Sequence, residues 1–135
     1  MSQYASPVQN LHKIIPWSAL NDREPAYALV SETDLVVVRH DEAVTVLYGR
    51  CLHRGALMAD GRVDGENLIC QVHNWDYRLE TGVSEYDNKE SLKKFNAWVD
   101  VEADAVMIDL EEIQLWEVDH PQAYQREQYL GLYDD

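Results

Sequence analysis

The sequence predicts an all-β fold of antiparallel sheets, with a small loop-rich subdomain set between longer strands. Three observations lead there. Short apolar runs rich in Val, Leu and Tyr recur along the 135 residues, separated by brief polar turns. Stretches with helical periodicity are few. The middle of the chain, residues 49–82, holds most of the glycines and both cysteines, Cys51 and Cys70, and its strand signals are short.

Residues 1–10 are polar and read as a loose terminus. Residues 12–15 form a first short strand, closed by Pro16. Residues 17–24 read as a turn or a single helical turn, ended by Pro25. Strand signals follow at 26–30, 35–39 and 44–48, with turns at 31–34 and 40–42. Inside the loop-rich part, short strands are expected at 68–70 and 77–79, and residues 88–95 read as one or two helical turns. Residues 98–102 and 106–110 flank Ala103-Asp104 in a hairpin pattern. The end, 111–135, carries seven acids against one base, Arg126. It reads as a helix packed on the domain or as a connection to something beyond it.

Composition narrows the function classes. Hydrophobic residues make up 46% and charged residues 27%, the profile of a folded chain, and the length suits one domain over 1–135. The net charge of −14 repels phosphate backbones and anionic lipid surfaces, which argues against nucleic-acid and membrane binding and favours a protein partner with a basic face. The longest apolar runs, such as 35–38, fall far short of the roughly 20 residues of a membrane helix. The first ten residues lack the basic and apolar regions of a secretory signal, so the expectation is a cytoplasmic protein. The oligomeric state is open. No Ser-His-Asp set, phosphate loop, dinucleotide fingerprint or mononuclear iron triad is present, so the chain is not expected to be an enzyme alone.

The chemistry sits in the loop-rich middle. Cys51 and His53 are followed, after sixteen residues, by Cys70 and His73: C-x-H, then C-x-x-H. Two thiolates with two imidazoles suit zinc or iron–sulfur. Paired zinc ligands usually stand two to four residues apart, so a one-residue gap is tight for a single tetrahedral ion. It is easier if the two ligands of each loop reach different metals. The other histidines, His12, His40 and His120, lack such neighbours and read as surface or capping residues. Trp17, Trp98 and Trp116 read as core, and Tyr124, Tyr129 and Tyr133 as an interface or a tail folded back.

The two groups resemble the loops of the Rieske family, in which two His replace two Cys on one iron of a [2Fe–2S] cluster. The resemblance extends to Arg54-Gly55 after the first His, Trp75-Asp76-Tyr77 after the second, and Thr81-Gly82 beyond. It is nearest to low-potential Rieske ferredoxins and the Rieske domains of ring-hydroxylating oxygenases. The resemblance implies that Cys51 and Cys70 bind the inner iron and His53 and His73 the outer one. Arg54, Gly55, Asn74, Trp75 and Tyr77 then surround the ligands. Leu52 and Gln71 stand where the family often has Pro, and Asn74 where Gly is usual. That Gly often needs positive φ, which Asn tolerates.

The resemblance implies one-electron transfer, as a ferredoxin-like carrier for an oxygenase or reductase within an oxidoreductase system, with a reductase, a terminal oxygenase or both as redox partners. The chain also reads as the N-terminal electron-receiving domain of a larger oxygenase or flavoprotein, or as a zinc-stabilised binding module. High-potential members have a second cysteine pair and a Ser two residues after the second His. Here there is no further cysteine, and Trp75 takes the Ser position. Fewer donors to sulfur disfavour reduction, so a low potential is expected.

Overall fold

The computed structural model describes residues 11–52, 55–72, 74–84 and 90–120. The expectations for 1–10 and for Tyr124, Tyr129 and Tyr133 lie outside them. Among the described residues, ten strands and one α-helix follow in the order β1 (Leu11–Ile15), β2 (Ala26–Val30), β3 (Thr33–His40), β4 (Ala43–Tyr48), β5 (Arg62–Asp64), β6 (Asn67–Ile69), β7 (Asp76–Arg78), β8 (Lys94–Phe95), β9 (Ala97–Asp100), β10 (Ala105–Asp109) and α1 (Leu110–Asp119). They make three antiparallel sheets, β1-β10-β9, β2-β3-β4-β8 and β5-β6-β7. The all-β expectation holds. No described helix is long and apolar enough to cross a membrane.

Strand β3 organises the packing. Its run Leu35-Val36-Val37-Val38 has no polar alternation because both faces are covered. The strand period of two sends Leu35 and Val37 into a core with Trp17, Val46, Phe95, Ile108 and Ile113. Val36 and Val38 join a second core with Leu47, Met58, Leu68, Tyr77 and both cysteines. Each such side chain contributes about 1.5–3 kcal/mol on burial. A polar residue at any of the four positions would therefore damage one core without touching the other.

Helix α1, the described part of the 111–135 segment, is packed on the first core; residues 121–135 lie outside the described residues. Asp109 caps it by accepting from the Glu111 N–H at 3.0 Å, and Glu111 and Glu112 sit favourably in its first turn. Ile113 is buried, and Trp116 lies against Tyr48 and Phe95. The Glu117 carboxylate accepts from Ser31 Oγ and the Glu32 N–H, both at 2.9 Å, and from Thr33 Oγ1.

Several boundaries differ from expectation. The turn expected at 31–34 is only Ser31-Glu32, with Ser31 at φ +56°, and Thr33 and Asp34 begin β3. Asp34 looks like a turn residue in sequence but is buried, because its carboxylate meets Arg50 and Tyr27. The helical reading of 88–95 is wrong for the described part: Ser91 bridges Val83, and Lys94 and Phe95 pair with Leu47 and Val46. The turn of the last hairpin covers 101–104, longer than expected. Trp98 is half-buried opposite Met107 and belongs to neither core. His12 is exposed, His40 hydrogen-bonds Thr45 Oγ1 at 2.7 Å, and His120 contacts the Trp116 carbonyl at 3.0 Å while stacking on its ring.

Candidate metal centre

The two cysteines stand in two loops closed by the same hydrogen-bond pattern among their described residues. In the first, an isolated antiparallel bridge between Arg50 and Leu57 closes six residues. The Cys51 N–H donates to the Ala56 carbonyl at 2.8 Å, and the Gly55 N–H to the Cys51 carbonyl at 2.7 Å. In the second, the Ile69–Asp76 rung of β6 and β7 closes six residues. The Cys70 N–H donates to the Trp75 carbonyl at 2.7 Å, and the Asn74 N–H to the Cys70 carbonyl at 2.9 Å.

Each loop turns back at its fifth residue through a left-handed backbone, Gly55 at φ +76° and Asn74 at φ +59°. Asn74 thus does what its amide side chain permits in a position where most L residues are strained. Its Oδ1 is 3.5 Å from Arg62 Nη1.

Cys51 and Cys70 are both buried, not joined in a disulfide, and members of the same apolar cluster, with Trp75 packed against it. Leu52, the residue after Cys51, is exposed. His53, Arg54 and His73 lie outside the described residues, each inside one of the two loops.

Tyr77, one of the residues expected around the ligands, lies beside Cys51. Its phenolic oxygen lies 3.5 Å from Cys51 Sγ and accepts the Leu52 N–H at 3.3 Å. Burial, then the neighbouring Cys51, hold the phenol proton on far above its ordinary range. The oxygen already accepts from Leu52, so its own hydrogen is available to the sulfur. Once Cys51 is a thiolate, the phenol is the donor.

The donor set fits an iron–sulfur group. Thiolate sulfur suits it, the apolar cluster keeps water away, and Tyr77 supplies an O–H to one sulfur. A donor missed by sequence reasoning is Arg50, whose side chain is buried beneath the first loop. The only sequence signal was a cation directly before a ligand-like Cys.

Comparison with known proteins decides between zinc and iron–sulfur. The model of the Rieske [2Fe-2S] domain matches residues 10–96, more than half of the chain. This chain belongs to the Rieske [2Fe-2S] domain family. Its cofactor is therefore a Rieske-type cluster. A putrescine 2-hydroxylase of Ralstonia nicotianae is 40% identical over 45 residues, a match covering 33% of this chain and 12% of the hydroxylase. A ferredoxin of Sphingomonas yanoikuyae B1 superposes with a TM-score of 0.67 at 24% identity, over 74% of this chain and 98% of the ferredoxin. A chain of the reduced complex between oxygenase and ferredoxin in carbazole 1,9a-dioxygenase superposes with a TM-score of 0.65 at 25% identity, over 75% of this chain and 28% of its own length.

Proposed function

We propose that this Rieske domain is a one-electron carrier of the ferredoxin type, in which Cys51 and Cys70 hold one iron and His53 and His73 the other. The pair of matched loops, each presenting a buried cysteine to one apolar cluster, carries this reading. When bound, the cluster supplies a site that gains and loses one electron without making or breaking a substrate bond. The chain's own residues do the rest. The apolar cluster excludes water, the Tyr77 O–H stabilises charge on the Cys51 sulfur, and exposed Leu52, next to Cys51 in sequence, offers an apolar contact to a docking protein.

The partners of this reading are a reductase and a terminal oxygenase; the carbazole 1,9a-dioxygenase structure, a complex between oxygenase and ferredoxin, supports the second. Cytoplasmic placement accompanies it, since reduced cysteines and an electron supply belong there. The potential lies at the low end of the Rieske range, roughly −150 to +300 mV, because Trp75 occupies the position of a serine donor.

A second arrangement, the electron-receiving domain of a larger oxygenase or flavoprotein, is favoured by coverage. The matched segments are 12% of the hydroxylase and 28% of the chain in the carbazole complex. The first is favoured by the 98% coverage of the Sphingomonas ferredoxin. Mixing the reduced protein with a Rieske-dependent oxygenase under stopped flow tests the carrier role. Reoxidation of the visible chromophore at a rate dependent on oxygenase concentration is expected; no concentration dependence, with any oxygenase offered, contradicts it.

A further inference from the structure

The two cysteine loops share the same closing hydrogen bonds but have different foundations. The neck of the second is one rung of a ladder, with Leu68–Tyr77 and Asn67–Arg78 continuing it below. The neck of the first, Arg50–Leu57, is an isolated bridge: one limb continues β4, but no further rung among the described residues joins the two limbs below it. The near limb is anchored on β3 through the Gly49 N–H, and at the far limb, in place of a ladder, sits a buried charge.

We propose that Arg50 is a positioning residue for the first cysteine loop, locked by Asp34, and that it does for Cys51 what the β6–β7 ladder does for Cys70. This rests on the reading of the loops as cluster ligands. The Arg50 side chain is 1% exposed, and so is that of Asp34. Burying a guanidinium is expensive unless it is paired and hydrogen-bonded, so a buried arginine needs a reason. Its Nε donates to Asp34 Oδ2 at 2.6 Å, and its Nη1 donates to the Gly55 carbonyl at 2.9 Å. The Tyr27 O–H donates to the other Asp34 oxygen at 2.5 Å.

One fork therefore ties the base sheet to the far limb of the loop. Gly55 in turn donates its N–H to the Cys51 carbonyl, so the fork closes on the ligand itself. The backbone supports the same approach. The Gly49 N–H donates to the Asp34 carbonyl at 2.7 Å, and a Cβ on Gly49 would stand 2.7 Å from the Leu35 carbonyl carbon. The second loop has no such arginine: the residue before Cys70 is Ile69, an apolar strand residue.

The charges matter too. Arg50 and Asp34 together are neutral beside a site that becomes one unit more negative on reduction. Asp34 lets a rigid planar fork be used for geometry without a lone cation favouring the reduced form. Lysine keeps the charge but cannot reach two acceptors with a fixed fork.

The test uses the loaded protein. Wild type is first assayed for iron and sulfide; a wild type without them overturns the cluster reading and this proposal together, while a loaded wild type isolates the proposal. Arg50→Lys should load, and lose its cluster to a chelator roughly tenfold faster, the factor for one lost hydrogen bond to a charged donor. Its reduced EPR lines should broaden, with a potential near wild type. Asp34→Asn, which leaves the cation uncompensated, should raise the potential. Wild-type retention and line shape in Arg50→Lys would overturn the positioning role. A potential in Asp34→Asn at or below wild type would overturn the charge compensation. Should Asp34→Asn not fold, Arg50→Lys decides alone.

Discussion

The phenolic oxygen of Tyr77 stands 3.5 Å from the sulfur of Cys51, close enough to donate to it while accepting the Leu52 N–H at 3.3 Å. A donor to sulfur stabilises the more negative, reduced state. Only the part of the bond that strengthens on reduction changes the potential. Tyr77→Phe is therefore expected to lower it by roughly a few tens of millivolts while the cluster stays assembled. Redox titration beside wild type checks this. Lost stability with an unchanged potential would make Tyr77 a packing residue only.

Asn74 holds the left-handed turn of the second loop at φ +59°. Asn74→Ala should cost about 1 kcal/mol, because a Cβ without a local hydrogen-bonding group is disfavoured there. Asn74→Gly should be close to neutral. Thermal unfolding of the loaded protein ranks the three, and an alanine variant as stable as glycine would contradict the turn argument.

Replacing a proposed ligand should empty the site without destroying the base. Cys51→Ser, His53→Ala, Cys70→Ser and His73→Ala are each expected to lose the cluster or assemble a damaged one. Cleavage by a protease should then fall within residues 49–82. The core around Leu35, Val37, Phe95 and Ile113 has its own apolar residues and should keep the β sheets folded. Global loss of β circular dichroism in all four variants would show that the base depends on the cluster.

Asp104 ties the last hairpin to the turn at Trp17. Its carboxylate accepts from Ser18 Oγ at 2.6 Å and from the Ser18 N–H at 2.7 Å, and these bonds hold its pKa below the usual 3.8. A depressed carboxylate stabilises the fold above its unfolded value, and that contribution fades as pH falls through the folded value. Wild type should therefore lose more stability than Asp104→Asn between about pH 5 and pH 2. Denaturant titrations across that range measure it, and parallel curves would contradict the assignment.

How much of this was legible beforehand depends on the range of the interaction. The β2–β3 and β3–β4 hairpins and the final hairpin followed from short apolar runs and local turns, since each pairing is between neighbours in sequence. The turn at Asn74 was legible for the same reason: a residue tolerant of positive φ stood where glycine is usual. Strand β8 was not, because two residues pair with Leu47 and Val46 far earlier in the chain, and nothing local in 88–95 separates a strand from a helical turn. Strand β5 has a single apolar residue, Val63, and gave no signal. Arg50 and Asp34 were missed because their meaning lies in a contact across 16 residues. Alone, one looks like a surface cation and the other like part of a polar turn.

Electron paramagnetic resonance of the reduced protein, with iron and sulfide counted on the same sample, tests the ligand assignment most directly. Two irons and two acid-labile sulfides per chain are expected, with an average g lower than that of an all-cysteine cluster, because two histidines feed one iron. A chain that carries one zinc and no iron, or a cluster with the average g of four cysteine ligands, would contradict it.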